Sequence, residues 1–149
     1  MVPATTERVS MHTQDHINAA IEAETDRRVA LLADDPEGAD LRLMDLDEEW
    51  DVERALEANA AALAFAGTAL GLAHDRRWLG LPLAVTGFLL QHAVQGWCPP
   101  LPVLRRMGFR TAREIESERA ALKALRGDFE IAVASGPDRA DRALAAARA

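Results

Sequence analysis

Residues 55–73, ALEANAAALAFAGTALGLA, and residues 78–97, WLGLPLAVTGFLLQHAVQGW, are separated by only four residues, His74-Asp75-Arg76-Arg77. The first run carries Glu57 and Asn59 near one end and nothing charged after them. The second has no acidic or basic side chain other than His92. At about 1.5 Å per residue, a helix of about 20 residues covers about 30 Å, the thickness of a bilayer hydrocarbon core. The pattern predicts an all-α chain built around an antiparallel transmembrane helical hairpin over residues 54–98. Soluble helices normally show a polar stripe over two turns, and residues 60–73 show none beyond Thr68. The competing reading is a soluble all-α protein whose hairpin is buried in a dimer core, which the abundance of alanine and a slightly negative mean hydropathy keep open.

Within the two runs, small residues recur at four-residue spacing, at Ala62/Ala66, Gly67/Gly71 and Gly80/Ala84. Such spacing lets two backbones approach closely, so Gly67, Gly71, Gly80 and Ala84 are the expected helix-packing positions and a homo-oligomer is expected. Pro82 falls near the start of the second run, where proline costs little. Trp50, Trp78 and Trp97 lie near the run ends, as interfacial anchors should. The turn contributes Arg76 and Arg77, whereas the other side contributes Arg54, Arg105, Arg106, Arg110 and Arg113. Five against two places both termini on the cytoplasmic side by the positive-inside rule.

Outward from the hairpin the chain changes character. Residues 1–15 read as a flexible polar leader, and the absence of an apolar run between Met1 and Ser10 gives no sign of a secretory signal. Residues 16–53 read as an acidic amphipathic helical arm: one helix with Ile17, Ile21, Val29 and Leu32 on its apolar side, a stop at Asp34-Asp35-Pro36-Glu37-Gly38, and a second carrying Leu41, Leu43, Leu46 and Trp50 toward Val52. After the hairpin, Cys98-Pro99-Pro100-Leu101-Pro102 leads into a Pro/Arg-rich exit over residues 99–110. It predicts a stiff, extended stretch, which continues in a short element, Val103 to Phe109, that ends at Gly108 or just beyond. Thr111 and Glu114 have capping-box spacing and precede an amphipathic helix over residues 111–134. Ser135-Gly136-Pro137 breaks it, leaving an Ala/Arg tail to residue 149.

The 149 residues allow one compact domain or a small core with tails. The net charge of −7 conceals an asymmetry, since residues 1–53 hold 15 acidic and 4 basic residues and the remainder 9 and 13. The acidic arm and the arginine-rich remainder are therefore expected to contact each other or a cytosolic protein partner, although exposed pairs contribute little individually. A single cysteine, Cys98, rules out an intrachain disulfide and a Cys-cluster zinc site.

Numbered about its turn, an antiparallel hairpin sets residue i opposite about 151 minus i, which makes His92 level with Asn59 and Gln95 with Leu56. Arg54, Glu57, Asn59, Gln91, His92 and Gln95 thus form a polar layer just inside the cytoplasmic interface. Ionisable groups at membrane depth usually have a function; interhelical hydrogen bonding and snorkelling explain the same layer without one. Cys98 lies beside it and is the one candidate for thiol or persulfide chemistry, for which it would need a pKa lowered by cations or helix amides. His12, His16, His74 and His92 are scattered and predict no metal site. There is no Gly-rich phosphate loop, GxSxG or HExxH, so no catalytic constellation and no cofactor are expected, and an enzyme is the weaker alternative. Arg105, Arg106 and Arg110, next to an apolar hairpin, are better explained by lipid phosphate than by nucleic acid.

Gln91-His92-Ala93-Val94-Gln95-Gly96-Trp97-Cys98-Pro99-Pro100, followed by Leu104 and Gly108, resembles the YgaP-like inner-membrane domain family, a domain of unknown function. That family is a two-helix transmembrane hairpin opening with an acid-Arg pair and closing with an aromatic-Cys-Pro signature. Glu53-Arg54 would match the opening, Trp97-Cys98-Pro99 the closing signature and Gly108 the terminal glycine. The resemblance covers roughly residues 50–110; long acidic N-terminal and amphipathic C-terminal extensions are added to it. It implies a bacterial inner-membrane location and pairing of hairpins, and says little about activity. The expectation is a small integral membrane protein with a structural or accessory role.

Overall fold

A computed structural model describes residues 4, 6–129 and 144. The described residues are predominantly helical, with no strand among them. A short 3-10 turn, Ser10–His12, is followed by α1 (Asp15–Leu32), α2 (Pro36–Glu48), α3 (Val52–Ala73), a second 3-10 turn (Arg76–Leu79), α4 (Gly80–Gln95), α5 (Leu101–Arg106) and α6 (Ala112–Arg126). The described residues divide into two compact units, one within residues 6–21 and 50–113, the other within residues 22–49 and 114–129.

In the first unit α3 and α4 form a helical hairpin. Asp51 caps α3, its Oδ1 accepting from the Arg54 amide at 2.7 Å, and the Val52 amide donates to the Arg110 carbonyl at 2.8 Å. The hairpin is closest near its turn. A Cβ on Gly67 would lie 2.6 Å from Pro82 Cδ, and one on Gly71 would lie 2.5 Å from Leu79 Cδ2, so these two positions need the absence of a side chain. Gly80 and Ala84 differ: both are exposed, and a Cβ on Gly80 would meet nothing within 4 Å. Of the four expected packing positions, Gly67 and Gly71 join the two helices and Gly80 and Ala84 lie on the outer face of α4.

At its other end the unit has a small core of Val9, Val52, Leu56, Cys98 and Leu101, with Leu104 and Phe109 packed against it. Val9 corrects the expected flexible leader: it is buried, because the leader supplies one wall of this core. The expected extended exit is also corrected. Pro100 is the N-cap of α5 and Pro102 stands in its first turn, where a missing amide removes no intrahelical bond and the fixed φ favours the helix.

The second unit is a three-element packing of the C-terminal part of α1, α2 and α6 around Ala39, Leu43, Leu46, Ile115 and Leu122, with Val29 and Leu32 against them. Asp35 caps α2 by accepting from the Gly38 amide at 3.0 Å, with Pro36 at the first helical position. Helix α2 ends at Glu48, so the pattern read toward Val52 is broken where Asp51 starts the next helix. Helix α6 ends at Arg126, short of the expected residue 134. Gly127 takes φ +85°, and the amides of Gly127 and Asp128 donate to the Ala124 and Lys123 carbonyls, each at 3.1 Å, the left-handed glycine stop that closes many helices. Residues 130–134 and the tail from 135, Leu144 apart, lie outside the described residues.

Polar side chains of this unit close on one another. Glu118, 0% exposed, accepts from Arg42 Nε at 2.8 Å and Nη2 at 3.2 Å and pairs with Arg28 at 3.3 Å. Arg42 also reaches Glu49 at 3.0 Å. Asp47 pairs with Arg119 at 2.6 Å and Asp40 with Arg126 at 2.8 Å, so acids of the N-terminal arm do meet arginines of the C-terminal helix.

Candidate functional site

The C-terminal end of α4 is held by a buried polar cluster. His92 is 2% exposed, and its Nε2 lies 2.8 Å from Glu53 Oε2. The other oxygen of Glu53 accepts from Arg8 Nη2 at 3.0 Å, while Arg8 Nη1 donates to the Ala93 carbonyl at 3.2 Å. Leader, α3 and α4 are thereby tied at one carboxylate. Helix α4 stops at Gly96, φ +81°, whose amide donates to the His92 carbonyl at 2.7 Å. A Cβ there would lie 2.5 Å from the Arg8 carbonyl oxygen, so glycine is required both for the left-handed turn and for the close passage of the leader. His92 Nδ1 is buried with no hydrogen-bond partner among the described residues. Charge-assisted hydrogen bonds of this kind fix geometry strongly, and the cluster holds the base of the hairpin.

The expected polar layer is not one layer. Only His92 of its six members turns inward, and it meets Glu53, six residues from the Asn59 level assigned to it. The link between the helices explains part of this offset: Arg76–Leu79 form a 3-10 turn that rises about 2.0 Å per residue, carrying α4 further along than a uniform α-helical register predicts. Arg54 is exposed and stacks over Trp50, 4.3 Å from the ring centroid. Glu57 and Asn59 are exposed. Gln91 Nε2 approaches Gln95 Oε1 at 3.5 Å, a weak contact along one helix. Glu53 and Arg8, the two residues that complete the cluster, were outside the expected layer. Glu53 was legible only as the acid of the acid-Arg pair, and Arg8 carried no signal because its partner is 45 residues away.

Arg105 and Arg110 correct the lipid-phosphate assignment. Arg105 is 1% exposed; its guanidinium donates to Thr13 Oγ1 at 3.2 Å, Asn18 Oδ1 at 2.9 Å and the Phe109 carbonyl at 2.9 Å. A planar fork with five donors suits this internal role. Arg110 is buried as well. Arg106 alone of the three is exposed.

Cys98 is buried in the core just past the end of α4. Burial pushes its thiol above the usual range; the Leu101 amide acts in the opposite direction, and the negative charge of Glu53 raises it further. This environment keeps the thiol protonated and works against nucleophilic or persulfide chemistry. Among the described residues no group of three or more His, Cys, Asp or Glu is placed to hold a metal ion.

The hairpin's outer faces are apolar. Phe65 is 78% exposed, Leu72 81% and Leu83 75%, and Leu63, Leu70, Trp78, Leu79, Phe88, Leu90 and Val94 are exposed too. The two hydroxyls on these faces are satisfied within their helices: Thr68 donates to the Ala64 carbonyl at 2.8 Å and Thr86 to the Pro82 carbonyl at 2.7 Å. By length and composition α3 is the one candidate among the described residues that is long and apolar enough to cross a membrane, and 17% of its most apolar window is buried. Helix α4 has 16 residues and is shorter. In comparisons with known proteins the chain matches no family model, no curated protein and no solved structure.

Proposed function

We propose that the chain is a small integral membrane protein of a bacterial cytoplasmic (inner) membrane, with α3 and α4 as a transmembrane hairpin, both termini cytoplasmic, and a structural or accessory role. The observation that carries this reading is the inverted exposure of the hairpin, in which large apolar side chains such as Phe65, Leu72 and Leu83 face outward. Exposed apolar surface of that extent requires a cover. Lipid fits it because the only hydroxyls on these faces already donate to backbone carbonyls, as polar groups in hydrocarbon must.

From Ala60 to Ala73 the apolar height of α3 is about 21 Å, and from Gly80 to Leu90 that of α4 is about 17 Å, both less than the full hydrocarbon core of about 30 Å. Trp78 and Trp97 flank α4 at its two ends, and such a hairpin is accommodated by local thinning and snorkelling of its flanking side chains. The likeness to the YgaP-like family supports the same location. Gly80 and Ala84, exposed on α4, offer a second copy close backbone approach, and the paired acidic and basic helices of the second unit are the part available to a cytosolic protein partner.

Extraction of expressing-cell membranes with alkaline carbonate tests the reading. Recovery in the membrane pellet is expected. Recovery of the folded protein in the supernatant would instead favour a soluble all-α dimer whose hairpins cover each other.

A further inference from the structure

Beside Cys98 the hairpin encloses a cavity of about 170 Å³, open on one side, whose walls come from Leu56, Ala60 and Leu63 of α3, from Val85 and Leu89 of α4, and from Pro99 beyond it. Its origin is in the sequence. Gly67 and Gly71 bring the helices together near the turn, whereas at the level of Ala60 a methyl group is all that α3 contributes and the gap stays unfilled. Its lining is apolar apart from the amide of Asn59 and the thiol of Cys98. A buried water needs two to four polar partners, and this lining offers only the Asn59 amide and the Cys98 thiol.

We propose that this cavity holds part of an acyl chain of a bilayer lipid. The inference rests on the membrane reading above and adds a ligand to it. Three features select this occupant. The rim residues Leu63 and Phe88 are partly exposed and continuous with the outward apolar face, so a chain lying on that face enters without crossing a polar barrier. Asn59 is exposed at the same end as Glu57, where the hairpin meets the headgroup region, and its amide can donate to the ester carbonyl from which an acyl chain descends. The walls offer no charged side chain, which disfavours a ligand whose charge would have to enter.

Leu56 and Cys98 are each 4% exposed, so a probe that reaches them has entered the cavity and has not merely touched the outer face. The experiment reconstitutes the full chain in phosphatidylcholine vesicles containing a phosphatidylcholine with a diazirine on its acyl chain, irradiates, and maps the adducts by mass spectrometry. Adducts are expected at Leu56 and Cys98 as well as at Phe65, Leu72 and Leu83. Ala60→Leu, which fills the cavity, should abolish the first set and leave the second, and Val85→Phe fills it from the other helix should the first variant lose its helicity.

Adducts at Phe65, Leu72 and Leu83 but not at Leu56 or Cys98 in the unmodified chain would overturn the cavity ligand and leave the membrane reading standing. Adducts at Leu56 and Cys98 that persist in a folded cavity-filled variant would also overturn it. Absence of adducts everywhere would remove the membrane reading, and this inference with it.

Discussion

In the unit formed by residues 22–49 and 114–129 the apolar side chains of three helices converge on Leu43, Leu46, Ile115 and Leu122, and arginines and acids pair around them. In the α3–α4 hairpin Gly67 and Gly71 of α3 receive Pro82, Leu81 and Leu79, while Phe65, Leu72 and Leu83 point away from the contact. Both are α-helical, and both are rich in alanine and leucine. What separates them is where the bulk sits: a helix with small residues at its contact and large ones outside is built for an apolar surrounding, and a helix with the reverse is built for water. Leu41 and Met44 are exposed in the second unit too, but they are interleaved with Asp40, Asp45 and Asp47 and form no continuous face.

The largest effect that would sharpen this contrast is expected at Glu118. Replacing its closest partner, Arg42, with alanine leaves the fully buried Glu118 carboxylate without its two nearest donors, and removing one partner of a buried ion network typically costs about 3–5 kcal/mol. Chemical denaturation followed by far-UV circular dichroism should show that loss, and a variant as stable as the parent would mean that the network is solvated.

Next in size is a charge on the hairpin's outer face. Phe65→Arg lies in the middle of the apolar part of α3 and should cost about 2.5–3.5 kcal/mol of membrane insertion, seen as a shift from pellet to supernatant. An exposed site in water would register only about 0.5 kcal/mol, so unchanged partitioning would break the comparison.

A smaller effect separates the two kinds of glycine. Gly67→Val drives a side chain into Pro82 and Leu81 and should destabilise the hairpin by about 1–3 kcal/mol. Gly80→Ala meets no neighbour and should leave thermal stability unchanged or slightly raised. Equal effects at the two positions would contradict the packing described.

The smallest concerns Cys98. Because burial raises its pKa, the protonated thiol is the form the fold favours. Its contribution to stability is complete below the ordinary thiol value and is lost as pH rises through the raised folded value. Alkylation by a small maleimide should therefore lag behind a free thiol at mildly alkaline pH and accelerate only at higher pH, together with a fall in stability. A reaction already fast at neutral pH would place the thiol outside the core.

Helical class was readable wherever spacing was local. The apolar runs, the Thr111–Glu114 start of α6 and the need for Gly67 and Gly71 all follow from residues a few positions apart. Gly127 also carried its signal, a glycine that ends a helix, but the amphipathic pattern expected over residues 111–134 masked it. Proline was misread in the opposite sense: Pro99, Pro100 and Pro102 suggested an extended exit, yet a helix tolerates proline in its first turn. The polar cluster was least legible. Arg8, Glu53 and His92 come from three distant segments, and an arginine in a polar leader has no local pattern that announces a buried partner. Arg105 and Arg110 failed for the same reason, since an arginine-rich stretch reads as surface until Thr13 and Asn18 are folded over Arg105.

What surrounds the outer face of the hairpin, lipid or water, is the decisive property of the molecule. Single spin labels at Phe65→Cys, Leu83→Cys and His74→Cys, in a Cys98→Ser background reconstituted into vesicles, report collision with oxygen, which concentrates in hydrocarbon, and with a water-soluble nickel chelate. High oxygen and low nickel accessibility at positions 65 and 83, with the reverse at position 74 in the turn, is the predicted result. Nickel accessibility at positions 65 and 83 equal to that at 74 would place the hairpin in water and contradict the membrane reading.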